Sequence, residues 1–490
     1  MTPGRRRPVG AVDTIWLNMD RPDNLMVIES LVFLESAPDF DAVVEVLRDR
    51  VLARFPVFRQ RPVPGTLPLQ RPHWEDDPDF SIERHVRRYV LPPPGDDAAL
   101  QAHVESRLDQ PMDRAHPLWE AHLVEGYAGG AVLLFRAHHA LADGIALTRV
   151  LLSMTDRAPG GGGEEALAAA EVGGEHTAYP SIVVDAARLA RRAVRPWALL
   201  DLVGLGVRTT AVVADLLLTQ TPPSAVSGPP GPAKRVVWTP PFPLDDIKAA
   251  GRMAGATVND VLMSAVAGAL ASYQEAHGAA ATDLVTMVPV NLRPLDEPLP
   301  KELGNAFALV FFTYPSSVAA PLARLAETKR RMDWLKRSPE AVLTFEIISA
   351  IGRTTPTIER HLVDFFANKA IGVTTNVAGP REPRWFAGVP VTGVLGWVPG
   401  SGTHTVGVCI FTYAGSVRVG FLVDATAVPD PEELLAAFEV EVATLASFAE
   451  VDVKARKGGR DAHGPQPAER RGRGAGGGRA GAAARRRKPA

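Results

Sequence analysis

The chain has 490 residues, 46% hydrophobic and 22% charged, which is enough to bury a substantial core and to divide into two or three domains. Its single cysteine, Cys409, excludes an internal disulfide, and the absence of any C-x-x-C pair excludes a paired-thiolate metal site. The formal net charge of −2 is unevenly spread: residues 451–490 hold 12 Lys and Arg against 3 Asp and Glu, about +9, which leaves the rest of the chain near −11.

At the start, MTPGRRRPVGAVD has an arginine cluster with no apolar run behind it, so a secretory signal is not expected and a cytoplasmic location is. From Ala11 to about Met154, strand-like alternation and helical periods interleave. IESLVFLE reads as a strand, Phe40 to Phe55 and Asp97 to Leu108 as helices, and Ala131 to Ala137 as a strand that ends in a doubled histidine before a helical stretch from Gly144. Residues 1–155 therefore read as one α/β unit.

Residues 156–233 read as a linker: a GGGG run, then an apolar helical stretch from about Ile182 to Gln220, then five prolines between Pro222 and Pro232. Asp201, Arg208 and Asp215 interrupt that stretch, so it is not expected to span a bilayer. Two readings stay open for it, an interfacial amphipathic helix or a crossover packed on its own domain.

A second α/β unit is expected over 234–450, with strands at LVTMVPV, AFALVFFTY, IGVTTNV, TVGVCIFTY and SVRVGFLV. Thr257 and Asp260 form an [ST]-x-x-[DE] cap for one helix. Asp430, Pro431, Glu432 and Glu433 mark the start of the last. Residues 451–490 have almost no large apolar side chains and read as a disordered basic tail, either solvated or drawn to anionic lipid.

The chemistry-bearing segment is His138-His139-Ala140-Leu141-Ala142-Asp143-Gly144. A histidine at the end of a buried strand is largely the free base at neutral pH and can accept a hydroxyl proton. Asp143, in a short loop, suits an ion pair that fixes that loop, and Gly144 suits close backbone approach.

This segment resembles the HHxxxDG motif of the CoA-dependent acyltransferase superfamily. Pro117-Leu118-Trp119-Glu120, Thr257-Val258-Asn259-Asp260-Val261, Val288-Pro289-Val290-Asn291-Leu292-Arg293-Pro294, Leu303-Gly304-Asn305 and Thr375-Asn376-Val377-Ala378-Gly379-Pro380 are similar, in order, to segments of the bacterial wax ester synthase/acyl-CoA:diacylglycerol acyltransferase family. Ala378 departs from the family, which often has proline there.

The resemblance implies an α/β fold of two chloramphenicol acetyltransferase-like lobes in pseudo-symmetric arrangement around a central channel. It implies an O-acyltransferase with His139 as general base, His138 in support, acyl-CoA as co-substrate, diacylglycerol or a long-chain alcohol as acceptor, and no cofactor, metal or nucleic acid. Arg293 is the expected partner of Asp143. The N–H of Gly144 and the side chains of Thr374, Thr375 and Asn376 are expected oxyanion donors, Asn259 and Asp260 are expected to shape the channel floor, and Pro117, Leu118 and Trp119 to support the catalytic strand. Peripheral contact with the inner membrane or lipid droplets fits such acceptors. Two other readings share the motif: a carrier-protein-dependent condensation enzyme, and a non-catalytic lipid-surface protein of the same fold.

Overall fold

The computed structural model describes residues 6–66, 70–161, 222–292, 299–337, 344, 347–348, 351 and 354–461. The Ile182–Gln220 stretch, Arg293 and the tail beyond Asp461 lie outside the described residues. Residues up to Ala449 form one compact unit, and residues from Glu450 a second.

The described strands are β1 (Arg7–Pro8), β2 (Val27–Leu34), β3 (Gln60–Val63), β4 (His73–Asp76), β5 (Val86–Val90), β6 (Trp119–Tyr127), β7 (Gly130–His138), β8 (Thr155–Asp156), β9 (Lys234–Trp238), β10 (Phe242–Pro243), β11 (Leu284–Asn291), β12 (Phe307–Tyr314), β13 (Thr374–Ala378), β14 (Trp385–Phe386), β15 (Val389–Trp397), β16 (Val406–Tyr413) and β17 (Ser416–Asp424). The helices are α1 (Ala11–Met19), α2 (Phe40–Leu47), α3 (Ile82–His85), α4 (Asp97–Leu108), α5 (Gly144–Ser153), α6 (Leu244–Ala254), α7 (Val258–Ala276), α8 (Pro321–Arg337), α9 (Pro356–Ala367) and α10 (Pro431–Asp461).

The main sheet runs β5-β6-β7-β2-β15-β14-β8. Its two central strands, GAVLLFRAH and VIESLVFL, are buried along their whole length because neighbours cover both faces, and they therefore read as near-continuous apolar runs. β14 and β15 come from the C-terminal half, with Trp397 paired to Glu29 and Val394 to Val32. The expected unit over 234–450 thus lends two strands to the sheet of the first. The second sheet runs β10-β17-β16-β13, with β9 also on β17, and β11 pairs β12 beside it. A parallel bridge from Met287 to Val373 links that pair to the approach of β13.

Helix signals act where the residue types require. Thr257 accepts from the Asp260 N–H while the Asp260 carboxylate accepts from the Thr257 N–H, a complete capping box on α7. Expected as one helix from Phe40 to Phe55, the second helical region instead turns from α2 into a wider π turn over Arg48–Leu52 and stops at Pro56, which cannot supply an N–H. α10 continues to Asp461, past the point where the basic tail was expected to begin. One apolar cluster joins both halves: Leu31, Phe33 and Leu134 pack with Val236, Trp238, Leu395, Trp397 and Cys409. Burying that many large apolar side chains, at about 1.5–3 kcal/mol each, holds the two sheets together around a shared seam.

Among the described residues no single helix is long and apolar enough to cross a membrane.

Candidate active site

β7 ends at His138, and the chain turns through His139 to Asp143 before α5. His138 is fully buried. Its Nδ1 accepts from the Ala140 N–H at 3.0 Å, so the proton sits on Nε2, which donates to Asp20 Oδ2 at 3.2 Å. Both ring nitrogens are thus committed to the turn. Asp20 also accepts from the Met26 N–H, and although burial works against its charge, the hydrogen bond and charge of His138 hold its carboxyl below the ordinary range.

His139 is held differently. Its N–H donates to the Met26 carbonyl at 2.7 Å and its carbonyl accepts from Asn305 Nδ2 at 2.8 Å, while its ring is left free of side-chain hydrogen bonds among the described residues. The ring lies against Trp16, with centroids 4.2 Å apart and planes 23° from parallel, and beside Phe307 at 5.7 Å. Burial pushes its pKa down to about 4. At neutral pH the imidazole is uncharged, and its Nδ1 is buried with no hydrogen-bond partner among the described residues.

Asp143 is the N-cap of α5. Its Oδ1 accepts from the Ala146 N–H at 2.8 Å, and its Oδ2 accepts from the Ala306 N–H at 3.0 Å, a bond that crosses to the other half of the chain. Gly144 opens α5 and lines the cavity. A Cβ there would meet Val398 at 3.7 Å, an ordinary contact, so the close backbone approach expected of this glycine is not what the position requires.

His139 sits on the wall of a cavity whose empty space, open mouth included, is about 1040 Å³. The walls come from both sheets: Ile28 and Ser30 of β2 and Val394 to Trp397 of β15 on one side, Thr375 to Val377 of β13, Cys409 and Phe411 of β16 on the other. Met287, Phe307 and Leu309 add a third, apolar wall.

A profile described as the wax ester synthase/diacylglycerol acyltransferase catalytic domain matches residues 9–262, and the C-terminal domain of that family matches 303–446. The chain belongs to the wax ester synthase/diacylglycerol acyltransferase family. It is 30% identical over 427 residues to a putative diacylglycerol O-acyltransferase of Mycobacterium tuberculosis, covering 80% of this chain and 86% of that one. It is 23% identical to the O-acyltransferase WSD of Acinetobacter baylyi, covering 89% and 96%. Among solved structures, the wax ester synthase/diacylglycerol acyltransferase of Marinobacter aquaeolei superposes with a TM-score of 0.65 at 21% identity, over 90% of this chain and 99% of that one. The first condensation domain of the calcium-dependent antibiotic synthetase gives 0.56 at 16% identity, over 91% and 96%. The chain is an acyltransferase with the expected α/β fold of two acetyltransferase-like lobes.

The family segments fall into place around His139 to different degrees. Trp119 is buried behind β7, donates its indole N–H to the Phe58 carbonyl at 2.8 Å and stacks on His85, while the Leu118 carbonyl accepts from the His138 N–H at 2.9 Å. Pro117, Leu118 and Trp119 therefore brace the strand from outside the cavity. Asn376 lines the cavity, and its Nδ2 donates to Asn259 Oδ1 at 2.7 Å, so Asn259 reaches the cavity only through Asn376. Asp260 is fully buried in its capping box and lines nothing.

Thr375 faces the cavity, with an Oγ1 that has no hydrogen-bond partner among the described residues. Thr374 does not face it. Strand alternation turns its Oγ1 into the core, 2.9 Å from Thr286 Oγ1 and 2.6 Å from the Tyr314 hydroxyl, so it is unavailable to an oxyanion there.

Sequence reasoning assigned no role to Asn305, Asp13 or Trp16. Asn305 takes its place from Asp13, whose Oδ1 accepts both from its N–H and from its Nδ2 at 2.8 Å. The signal was present in the Leu303-Gly304-Asn305 segment, but nothing local says that its side chain ends on a carbonyl 166 positions earlier.

Proposed function

We propose that this acyltransferase moves a long-chain acyl group from acyl-CoA to the hydroxyl of diacylglycerol or of a long-chain alcohol, with His139 as general base. The observation that carries this reading is an uncharged His139 on the wall of a large, mainly apolar cavity lined from both sheets. A cavity lined mainly by apolar side chains favours aliphatic chains over polar acceptors. Relatives that bear the names diacylglycerol O-acyltransferase and O-acyltransferase WSD support the acceptor class.

In this reading His139 Nε2 takes the hydroxyl proton as the alcohol oxygen attacks the thioester carbonyl. The tetrahedral intermediate collapses with cleavage of the C–S bond, and the imidazolium returns its proton to the CoA thiolate. Ester and CoA thiol leave, and no acyl-enzyme, metal or cofactor takes part. The oxyanion would draw on Thr375 Oγ1 and on the first-turn N–H groups of Gly144 and Ile145, which an α-helix leaves without internal acceptors. One such donor is worth roughly 2.7–4 kcal/mol in the transition state. Asp143 holds the loop through the Ala146 and Ala306 N–H groups, while His138 fixes the turn. The excess of basic residues over 451–490 supports a peripheral contact with an anionic lipid surface, where each contributes about 1 kcal/mol.

Radiolabelled acyl-CoA incubated with diacylglycerol, long-chain alcohols and short polar alcohols tests the reading. Labelled triacylglycerol or wax ester is expected, and no ester from any acceptor would refute it.

A further inference from the structure

We propose that Trp16 acts as a positioning residue that stabilises the imidazolium formed on His139 during proton transfer, through the face of its indole ring. This rests on His139 being the general base. When His139 takes the hydroxyl proton it becomes a cation in a buried site: its Nδ1 has no hydrogen-bond partner among the described residues, and the Asp143 carboxylate, whose charge favours the cation, also accepts from the Ala146 and Ala306 N–H groups. What lies against the ring is Trp16, stacked at 4.2 Å and 23°. A cation within about 6 Å of a tryptophan face is attracted by the negative face of the ring, and more strongly once water is excluded.

The indole is partly buried and forms part of the cavity wall. It packs against the apolar cluster of Ile15, Met19, Met26 and Ile351, which Val363 and Phe366 of α9 also contact. Its Nε1 is buried and has no hydrogen-bond partner among the described residues, so the side chain contributes through its face rather than through its polar edge. The surrounding chain fixes that face. The first turn of α1 carries Asp13, which holds Asn305 against the His139 carbonyl, and the helix is followed by Asp20, which accepts from His138 Nε2. One short N-terminal helix and its flank thus grip the histidine pair from three points, and Trp16 is the point that touches the reacting ring.

Site-specific replacement of Trp16 by 5-fluoro-, difluoro-, trifluoro- and tetrafluorotryptophan tests the role, because fluorine drains the ring face with almost no change in shape. Turnover with saturating acyl-CoA and alcohol is expected to fall monotonically along the series, by about tenfold or more at the tetrafluoro end, with KM nearly unchanged. A turnover rate indifferent to fluorination, or a change confined to KM, would overturn the proposal. His139→Ala measured alongside separates the two readings: turnover retained in that variant refutes the base, whereas an inactive His139→Ala with a flat fluorine series refutes only Trp16.

Discussion

The Asn305 carboxamide donates to the carbonyl of His139 at 2.8 Å and is itself held by Asp13 at 2.8 Å. Three parts of the chain, α1, the turn after β7 and the lead-in to β12, meet in that chain of bonds. The position of the histidine main chain therefore depends on a residue from the other half of the molecule. Asn305→Ala removes both bonds and leaves the already proton-prone Asp13 without its main side-chain donor. A loss of about 1–3 kcal/mol in stability is expected, with a fall in kcat larger than any change in KM. Urea unfolding and steady-state kinetics on the variant check this, and an unchanged kcat would show that Asn305 has no part in placing His139.

Asp143 links the halves in a second way, as N-cap of α5 and acceptor of the Ala306 N–H. Asp143→Ala should lose the cap, about 0.5–2 kcal/mol, and a further amount for the uncapped Ala306 N–H. Asp143→Asn keeps one acceptor oxygen and should recover part of the melting temperature. Equal melting temperatures for wild type and Asp143→Ala would contradict the clamp.

Gly144 has room for a methyl group but not for a large side chain without filling the cavity beside His139. Gly144→Ala is expected to fold normally. Gly144→Leu should depress turnover with long-chain acyl-CoA by at least tenfold while sparing a short-chain donor. Competition between the two donors reads the outcome, and equal losses on both would mean that the cavity wall at α5 does not carry the acyl chain.

His404 offers a test of electrostatics away from the chemistry. Its Nδ1 accepts from the Ser401 N–H and its Nε2 donates to the Ala367 carbonyl, both at 3.0 Å, and burial pushes its pKa down to about 4. A buried neutral histidine contributes no pH dependence above its unfolded value near 6.5. As pH falls from about 6.5 to about 4 the unfolded chain binds the proton and the folded one does not, so stability is lost, on the order of 3 kcal/mol for such a group. Glu359 works in the opposite sense: burial pushes its carboxyl up to about 7, so its contribution is lost as pH rises towards that value. The difference in unfolding free energy between wild type and His404→Gln isolates the histidine and should narrow as pH falls over that window. A difference independent of pH would rule it out.

How much of this was legible in the sequence depends on range. The Thr257–Asp260 capping box, the strand before His138 and the helix Asp97–Leu108 follow from neighbours within a few positions, and the structure has them. The His-His segment pointed to His139 because strand, doubled histidine, aspartate and glycine stand together, and the structure puts that ring on the cavity wall. Long-range partners were not legible. β15 pairs with β2 more than 350 residues away, Asn305 ends on His139 across 166, and Trp16 stacks on His139 from a helix whose own pattern says only that one face is apolar. Local periodicity fixes which face of an element is buried, not what it is buried against. Thr374 and Thr375 illustrate the same limit: adjacent threonines look interchangeable in sequence, and only the strand's pairing turns one to the core and the other to the cavity.

The central claim is that His139 is the base for acyl transfer. Its most direct test is single-turnover ester formation from radiolabelled acyl-CoA and a long-chain alcohol or diacylglycerol, with wild type and His139→Ala at matched folding by circular dichroism. The account predicts labelled ester from wild type and a loss of at least a hundredfold in His139→Ala with the fold intact. Ester formation at the wild-type rate by a folded His139→Ala protein would contradict it.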